Sequence, residues 1–125
     1  MKMTTFNPQI ITKDADAVVR LFEALGFARR HTKHDVGELN VTAIRMKDAN
    51  GFCLDVSQSD RLPCDCIAAI RMNVDDFDAA YRLLTAHGFS NFYGDHAVDN
   101  PTSKSAVMIA PSGFAINLVQ HIRKS

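Results

Sequence analysis

The chain has 125 residues, an apolar content of 46% and equal numbers of basic and acidic side chains, 14 of each. This length suits one globular domain, and the neutral balance argues against a nucleic-acid or anionic-membrane partner. No apolar run approaches the roughly 18 residues of a membrane span, and the opening residues lack a signal peptide's apolar core, so we expect a cytoplasmic protein.

The first half of the chain predicts a strand, a helix and three further strands. Residues 6–12 form an apolar segment, and Asp14 after it can cap a helix by accepting from the free N–H groups of the first turn. Gly26 supplies the left-handed residue that often ends a helix. The predicted buried stripe of this helix, at i, i+3, i+4 and i+7, is Val18, Leu21, Phe22 and Leu25.

Three strands are predicted to follow this helix, at 27–36, 39–46 and 52–57. The first of them carries several charges, which favours an exposed or edge position. Gly37-Glu38 and residues 48–51 are the predicted turns between the strands.

The second half repeats this order after a linker at 59–65 that contains Pro63. A strand at 67–74 precedes a helix from Asp76 to about His87, and Gly88 ends that helix. Strands are predicted near 89–97, 103–110 and 114–121. The predicted buried stripe of the second helix is Phe77, Ala80, Tyr81 and Leu84.

A direct internal repeat supports this division into halves. Gly51-Phe52 recurs as Gly113-Phe114, an offset of 62 residues (113 − 51). Several other identities keep the same offset without a gap, for example the two helix-capping aspartates. A period above the usual 20–50 residues of solenoids indicates a duplicated half-domain, so we predict one domain of two βαβββ repeats, at about 4–58 and 66–122.

These segments resemble the vicinal oxygen chelate superfamily, which includes glyoxalase I, extradiol dioxygenases and bleomycin-resistance proteins. The segments KDADAVVRLFEALGF and VDDFDAAYRLLTAHGF resemble the two helices of that family, and PSGFAINL resembles its last strand. The resemblance implies an α+β fold in which two curved four-stranded mixed sheets enclose a cleft, with the helices outside. It also implies a homodimer, since many members of this size are dimeric.

Alternation along the strands predicts which side chains face that cleft. In the fourth strand Phe52, Leu54 and Val56 should pack on the helix, and in the last strand Phe114, Ile116 and Leu118 should do the same. The opposite faces should then carry the ligand-binding side chains. Those that we assign to the ligand are Asn7, Gln9, Cys53, Asp55, Arg71, Asn73 and Asn117.

The resemblance places the family's metal ligands at Asn7, Asp55, Ala69 and Asn117. Alanine has no donor atom, and neutral amides are poor ligands for a transition metal, which prefers imidazole, thiolate or carboxylate. None of the five histidines falls on a ligand position. We therefore expect no metal and no other cofactor.

The three cysteines, Cys53, Cys64 and Cys66, do not predict a disulfide framework, because their number is odd. Cys64 and Cys66 are one residue apart, whereas zinc ribbons and thioredoxin-like sites use a two-residue spacing. We expect free thiols.

Three functional hypotheses remain open at the level of sequence. The first is a protein that binds a small organic ligand in its cleft without a metal, and the second is a metal-dependent lyase or dioxygenase with shifted ligands. The third is a dimeric structural module with a filled cleft. For Arg71 and Asp55 there is a structural alternative too, since the two side chains could neutralise each other.

Overall fold

The computed structural model describes residues 1–36, 41–59, 64, 66–92, 94, 98–100 and 103–121, without the side chains of 33–36, 41 and 98–100. The predicted turn at Gly37-Glu38, most of the predicted linker and part of the predicted strand near 89–97 lie outside these residues. In each half of the described chain a strand, a helix and further strands follow one another as predicted, which confirms the α+β class.

The elements of the first half are β1 (Met3–Thr12), α1 (Ala15–Ala24), β2 (Ala28–Val36), β3 (Val41–Lys47) and β4 (Cys53–Gln58). The elements of the second half are β5 (Cys66–Val74), α2 (Phe77–Ala86), β6 (Ser90–Asn91), β7 (Val98–Asn100), β8 (Ser103–Ile109) and β9 (Ala115–His121). The short β6 lies within the strand that was predicted near 89–97, and β7 follows that range.

The chain forms two compact units, which we call the first unit (Asn7–Ala68) and the second unit (Met1–Phe6 with Ala69–Ser125). The first residues of β1 thus belong to the second unit, although the repeat boundaries placed them in the first half. There, the N–H of Asp75 donates to the carbonyl oxygen of Lys2 over 3.0 Å.

The sheet of the first unit has the strand order β2-β3-β4-β1. β1 and β4 are parallel, whereas β2, β3 and β4 are joined by antiparallel pairs. α1 packs on one face of this sheet, and the core between them consists of Ala15, Val19, Ile44, Met46, Leu54 and Val56. This is the predicted four-stranded mixed sheet.

The second unit has the equivalent order β5-β9-β8-β6, and β7 pairs with β8. β5 and β9 are parallel, and β8 is antiparallel to β9. Its core lies between the sheet and α2 and contains Met72, Val74, Phe77, Ala80, Ala106, Met108, Ile116 and Leu118.

Both helices begin and end as the sequence predicts. Asp14 accepts from the N–H of Ala17, and Asp76 accepts from the N–H of Ala79, so each caps a first turn. Gly26 and Gly88 follow the helices with φ of 107° and 90°, a region that residues with a Cβ rarely adopt.

The predicted buried stripe is right for α2 and wrong in part for α1. In α2 all four predicted side chains contact the core. In α1, however, Leu21 and Leu25 are 55% and 64% exposed. The face that packs on the sheet is Ala15, Val18, Val19 and Phe22, which also has the i, i+3, i+4, i+7 spacing.

The two aromatic residues after the repeated glycines do not pack on the helices, contrary to the prediction. Phe52 is 66% exposed and Phe114 is 49% exposed, and each precedes the strand that the alternation rule assumed. Phe52 instead belongs to a turn, in which its N–H donates to Oδ1 of Asp48 over 2.8 Å. The ring of Phe114 meets that of Phe89 edge-on at 5.6 Å.

The described helices are too short to cross a membrane, since α1 and α2 have 10 residues each.

Candidate functional site

The core side chains of β4 fix which residues face away from α1. Leu54 and Val56 are buried in the core beneath α1. Because successive side chains of a strand point to opposite faces, Cys53, Asp55 and Ser57 lie on the other face, as predicted.

Strand register brings further polar side chains to this face. Gln9 of β1 lies opposite Asp55 of β4, and Arg45 of β3 lies opposite Asp55 on its other side. We call Asn7, Gln9, Arg45, Asp55 and Ser57 the first polar face.

Asp55 is the centre of the first polar face. Its Oδ1 lies 3.1 Å from Nε of Arg45, and its Oδ2 accepts from Nδ2 of Asn7 over 3.2 Å. The Asp55 side chain is only 6% exposed, whereas that of Arg45 is 39% exposed. Burial of a carboxylate is costly unless it is paired and hydrogen-bonded, and both conditions are met here.

Gln9 and Ser57 form a second hydrogen bond on this face. Nε2 of Gln9 donates to Oγ of Ser57 over 2.9 Å, and both side chains are buried. Within the described part of the chain no buried side-chain nitrogen or oxygen lacks a partner. The polar side chains are therefore held in fixed positions, as a preorganised binding surface requires.

Arg71, Asn73 and Asn117 form the second polar face, in the second unit. Arg71 of β5 lies opposite Asn117 of β9, and its Nε donates to Oδ1 of Asn73 over 3.1 Å. The residues that alternate with them, Met72 and Leu118 among others, belong to the core beneath α2. The predicted orientation of these three residues, away from the helix, is therefore confirmed.

The ion-pair partner of Asp55 was missed by the sequence reasoning, which considered only Arg71. The structure shows Arg45 in this role. The signal was present in β3, where Arg45 alternates with Ile44 and Met46, both buried against α1. Applying the alternation rule to β3 would have placed Arg45 on the same sheet face as Asp55, and the strand register then brings the two side chains together.

Cys53 belongs to a different environment at the end of β4. It is partly buried, and it lines a cavity of about 760 Å³ between the β3–β4 turn and β2. The other lining residues are Arg30, Arg45, Lys47, Asp48, Ala49, Asn50 and Gly51. Cys64 and Cys66 are exposed free thiols.

The residues at the family's metal positions do not fit a transition-metal centre. Asn7 and Asp55 are bonded to each other, Asp55 is also paired with Arg45, and Ala69 has no donor atom. Among the described residues, no three His, Cys, Asp or Glu side chains form a group that could hold a metal ion.

Comparison with solved structures identifies the fold. The chain is similar to a variant of methylmalonyl-CoA epimerase from Streptomyces coelicolor in complex with 2-nitronate-propionyl-CoA, with 20% identity and a TM-score of 0.62. That match covers 98% of this chain and 100% of the epimerase. A hypothetical protein from Bacillus halodurans is similar at 9% identity and a TM-score of 0.68, over 100% of this chain and 99% of that one.

A variant of glyoxalase I from Zea mays is also similar, at 14% identity and a TM-score of 0.66, over 98% of this chain and 45% of that protein. No protein-family model matches the chain, and no curated protein sequence matches it. The epimerase and glyoxalase I belong to the vicinal oxygen chelate superfamily. The resemblance seen in the sequence is thus confirmed at the level of the fold, which by itself does not fix a function.

Proposed function

We propose that this chain binds small organic ligands at polar side chains of its sheets, without the metal centre of vicinal oxygen chelate enzymes. The residues assigned to the ligand are those predicted from the sequence: Asn7, Gln9, Cys53, Asp55, Arg71, Asn73 and Asn117.

The proposal rests on the first polar face, whose side chains are hydrogen-bonded in fixed positions around Asp55. If this sheet face had only a structural role in the core, we would expect apolar side chains on it. Buried polar groups contribute little net stability even when they are hydrogen-bonded. This face instead holds Gln9, Asp55 and Ser57, whose whole-residue exposures are 2%, 4% and 7%. Ligand sites combine a few such placed polar groups with apolar walls.

The class of ligand follows from the chemistry of the second polar face. A guanidinium binds carboxylate and other oxyanions well, because it offers parallel donors in one plane. Asn73 orients the guanidinium of Arg71 by accepting a hydrogen bond from its Nε, and Asn117 adds a neutral amide beside Arg71. The epimerase neighbour binds an acyl thioester with an anionic nitronate, so oxygen-rich acids and their thioesters are the ligands that we propose.

A thermal-shift screen tests the proposal with three kinds of compound: small carboxylates, acyl-CoA thioesters and neutral aromatics. A ligand present at 100 times its Kd stabilises a protein by about 2.7 kcal/mol, which raises the Tm by several degrees. We expect carboxylates or thioesters to do so, and neutral aromatics to have no effect.

Two variants show whether a hit binds at the proposed site. Asn7→Ala removes a polar contact of the first polar face, and Glu23→Ala removes an exposed charge from the outer side of α1. The Tm shift should fall in the first variant and persist in the second. If no compound raises the Tm, or if the ligand-induced Tm shift is the same in both variants, the structural-module hypothesis is favoured instead.

Elemental analysis of the untagged protein separates the proposal from the enzyme hypothesis. We expect less than one transition-metal ion per chain after purification without chelators. One ion per chain that is lost in an Asp55→Ala variant would contradict the metal-free proposal and favour a lyase or dioxygenase with shifted ligands.

The homodimer and the cytoplasmic location are part of the same proposal. β2 pairs only with β3 among the described residues, and its first five residues, Ala28–Thr32, are exposed. An edge of this kind requires either charge or a partner for protection. Light scattering at micromolar concentration should give twice the monomer mass of 13.8 kDa, and a monomeric mass would contradict the dimer.

A further inference from the structure

The cavity beside the β3–β4 turn has a concentration of positive charge, to which Arg30 and Lys47 contribute from outside the two polar faces. Three of its lining residues are basic, namely Arg30, Arg45 and Lys47, and one is acidic, Asp48. They converge because Arg45 and Lys47 lie on the same face of β3. Arg30 lies in β2 at a register irregularity between Arg29 and His31.

The negative charges near this cavity are already engaged elsewhere. Oδ1 of Asp48 accepts from the N–H groups of Asn50 and Phe52 over 3.0 and 2.8 Å, which fixes it in the turn. Asp55 is paired with Nε of Arg45. Within the described residues, neither Arg30 nor Lys47 forms an ion pair, so both cations are available to a ligand.

We propose that this cavity binds the phosphate group of an organic ligand. The guanidinium of Arg30 supplies planar donors and the ammonium of Lys47 a point charge, both of which bind phosphate oxygens in proteins, and Arg45 lies beside them in its ion pair with Asp55. The volume of about 760 Å³ is within the range of small-molecule sites and far exceeds a single phosphate. The cavity therefore has room for an organic group that carries the phosphate.

This inference goes beyond the proposed function, because Cys53 is the one residue assigned to the ligand above that also lines this cavity. The phosphate could belong to a free organophosphate or to a phosphorylated carrier of the kind found in thioesters. Calorimetric titration of the full chain with adenosine 3′,5′-bisphosphate, adenosine, coenzyme A, pantetheine and inorganic phosphate distinguishes these sources.

We expect the bisphosphate to bind at least about tenfold more tightly than inorganic phosphate, and adenosine to show no binding. Stronger binding of coenzyme A than of both the bisphosphate and pantetheine would identify a phosphorylated carrier. Equal binding of bisphosphate and coenzyme A would identify a free organophosphate. Binding of adenosine as strong as that of the bisphosphate would overturn the proposal.

Matched variants test the residues. Arg30→Ala and Lys47→Ala should each weaken bisphosphate binding about tenfold, and both residues are exposed, so the fold should tolerate the change. Arg29→Ala is the control, because it removes the same charge from the adjacent residue, which pairs with the core residue Met46 and does not line the cavity. An equal loss in Arg29→Ala would show non-specific attraction and would contradict the site.

Alkylation of the three cysteines gives a readout that is independent of affinity. Cys53 lines the cavity, whereas Cys64 and Cys66 are exposed elsewhere in the chain. Saturating bisphosphate should slow the alkylation of Cys53 in wild-type protein and leave the other two unchanged. Unchanged alkylation of Cys53 at saturation would place the ligand elsewhere and overturn the proposal. Carboxylate binding that is weakened in Asn7→Ala tests the proposed function, whereas bisphosphate binding that is weakened in Arg30→Ala and Lys47→Ala tests this cavity. The two proposals can therefore fail independently.

Discussion

The side-chain oxygen of Gln58 accepts a hydrogen bond of 3.0 Å from the backbone N–H of Ala15, the first residue of α1. Gln120 does the same for Phe77, the first residue of α2, over 2.7 Å. Both pairs obey the offset of 62 residues (120 − 58). The first N–H groups of a helix have no partner within it, so a strand of each half supplies one from a side chain.

Replacing Gln58 by Ala should therefore destabilise the protein. The variant leaves the N–H of Ala15, which is a buried residue, without its acceptor, and we expect a loss of about 1 kcal/mol in the free energy of unfolding. Gln58→Glu keeps an acceptor and adds favourable charge at the helix N-terminus, so it should retain the stability. Urea denaturation followed by circular dichroism measures both, and an unchanged midpoint in Gln58→Ala would disprove the role.

The pair of Arg45 and Asp55 makes a second prediction about stability. Arg45→Ala leaves the buried carboxylate of Asp55 with only Asn7 as a partner among the described residues. Because Arg45 is 39% exposed, water can partly replace it, and we expect a cost of about 1–3 kcal/mol.

Adding Asp55→Asn to Arg45→Ala should restore part of that stability, because the uncompensated charge is then removed. Arg29→Ala is the matched control, since Arg29 is exposed and forms no ion pair among the described residues. A double variant that is as unstable as the sum of the single changes would show that the two side chains act separately.

Arg71→Ala should weaken the binding of an anionic ligand by about ten- to a hundredfold, if the second polar face holds that anion as proposed. The expected range corresponds to the roughly 1.5–3 kcal/mol of a hydrogen bond to a charged group. Arg82→Ala, on the exposed side of α2, removes the same charge and should leave binding unchanged. Calorimetry on the carboxylate hits decides between them, and equal affinity in wild type and Arg71→Ala would give Arg71 a structural role.

The ion pair of Lys104 and Asp78 predicts a pH effect. The ammonium of Lys104 lies 2.9 Å from Oδ1 of Asp78 and lowers the pKa of that carboxyl through a hydrogen bond and its charge. Because this pKa is lower in the folded state, the stabilisation is present at neutral pH and is lost as the pH falls through the folded pKa.

Lys104→Met should raise the pKa of Asp78 toward its ordinary value, as measured by carboxyl NMR titration. Lys13→Met is the control, since Lys13 does not contribute to the lowered pKa. A pKa of Asp78 that is equally low in wild type and in Lys104→Met would contradict the assignment. The pair is exposed on the side of Asp78, so we expect only a small change in stability.

Local signals in the sequence were sufficient to predict the two helices and most strands, and to predict which strand residues face the helix in each unit. Asp14 and Asp76 cap their helices because the capping bond spans only three residues. Leu54 and Val56 face α1 because strand alternation is a property of the backbone itself. The internal repeat predicts the buried face of α1 better than hydrophobic spacing does. An offset of 62 residues relates the buried face of α2 to that of α1, so that Phe77, Ala80, Tyr81 and Leu84 correspond to Ala15, Val18, Val19 and Phe22.

Tertiary structure decided where apolar residues are exposed and which charges meet. Leu21 and Leu25 satisfy a helical period as well as Val19 does, and only the sheet beneath α1 determines which face is covered. Arg45 and Asp55 are ten residues apart in the chain, and their contact depends on the antiparallel register of β3 and β4. The basic cavity likewise needs a side chain from β2 beside two from β3. Periodicity reports only distances along one element, whereas ion pairs and cavities depend on distances between elements, and these are fixed when the strands pair.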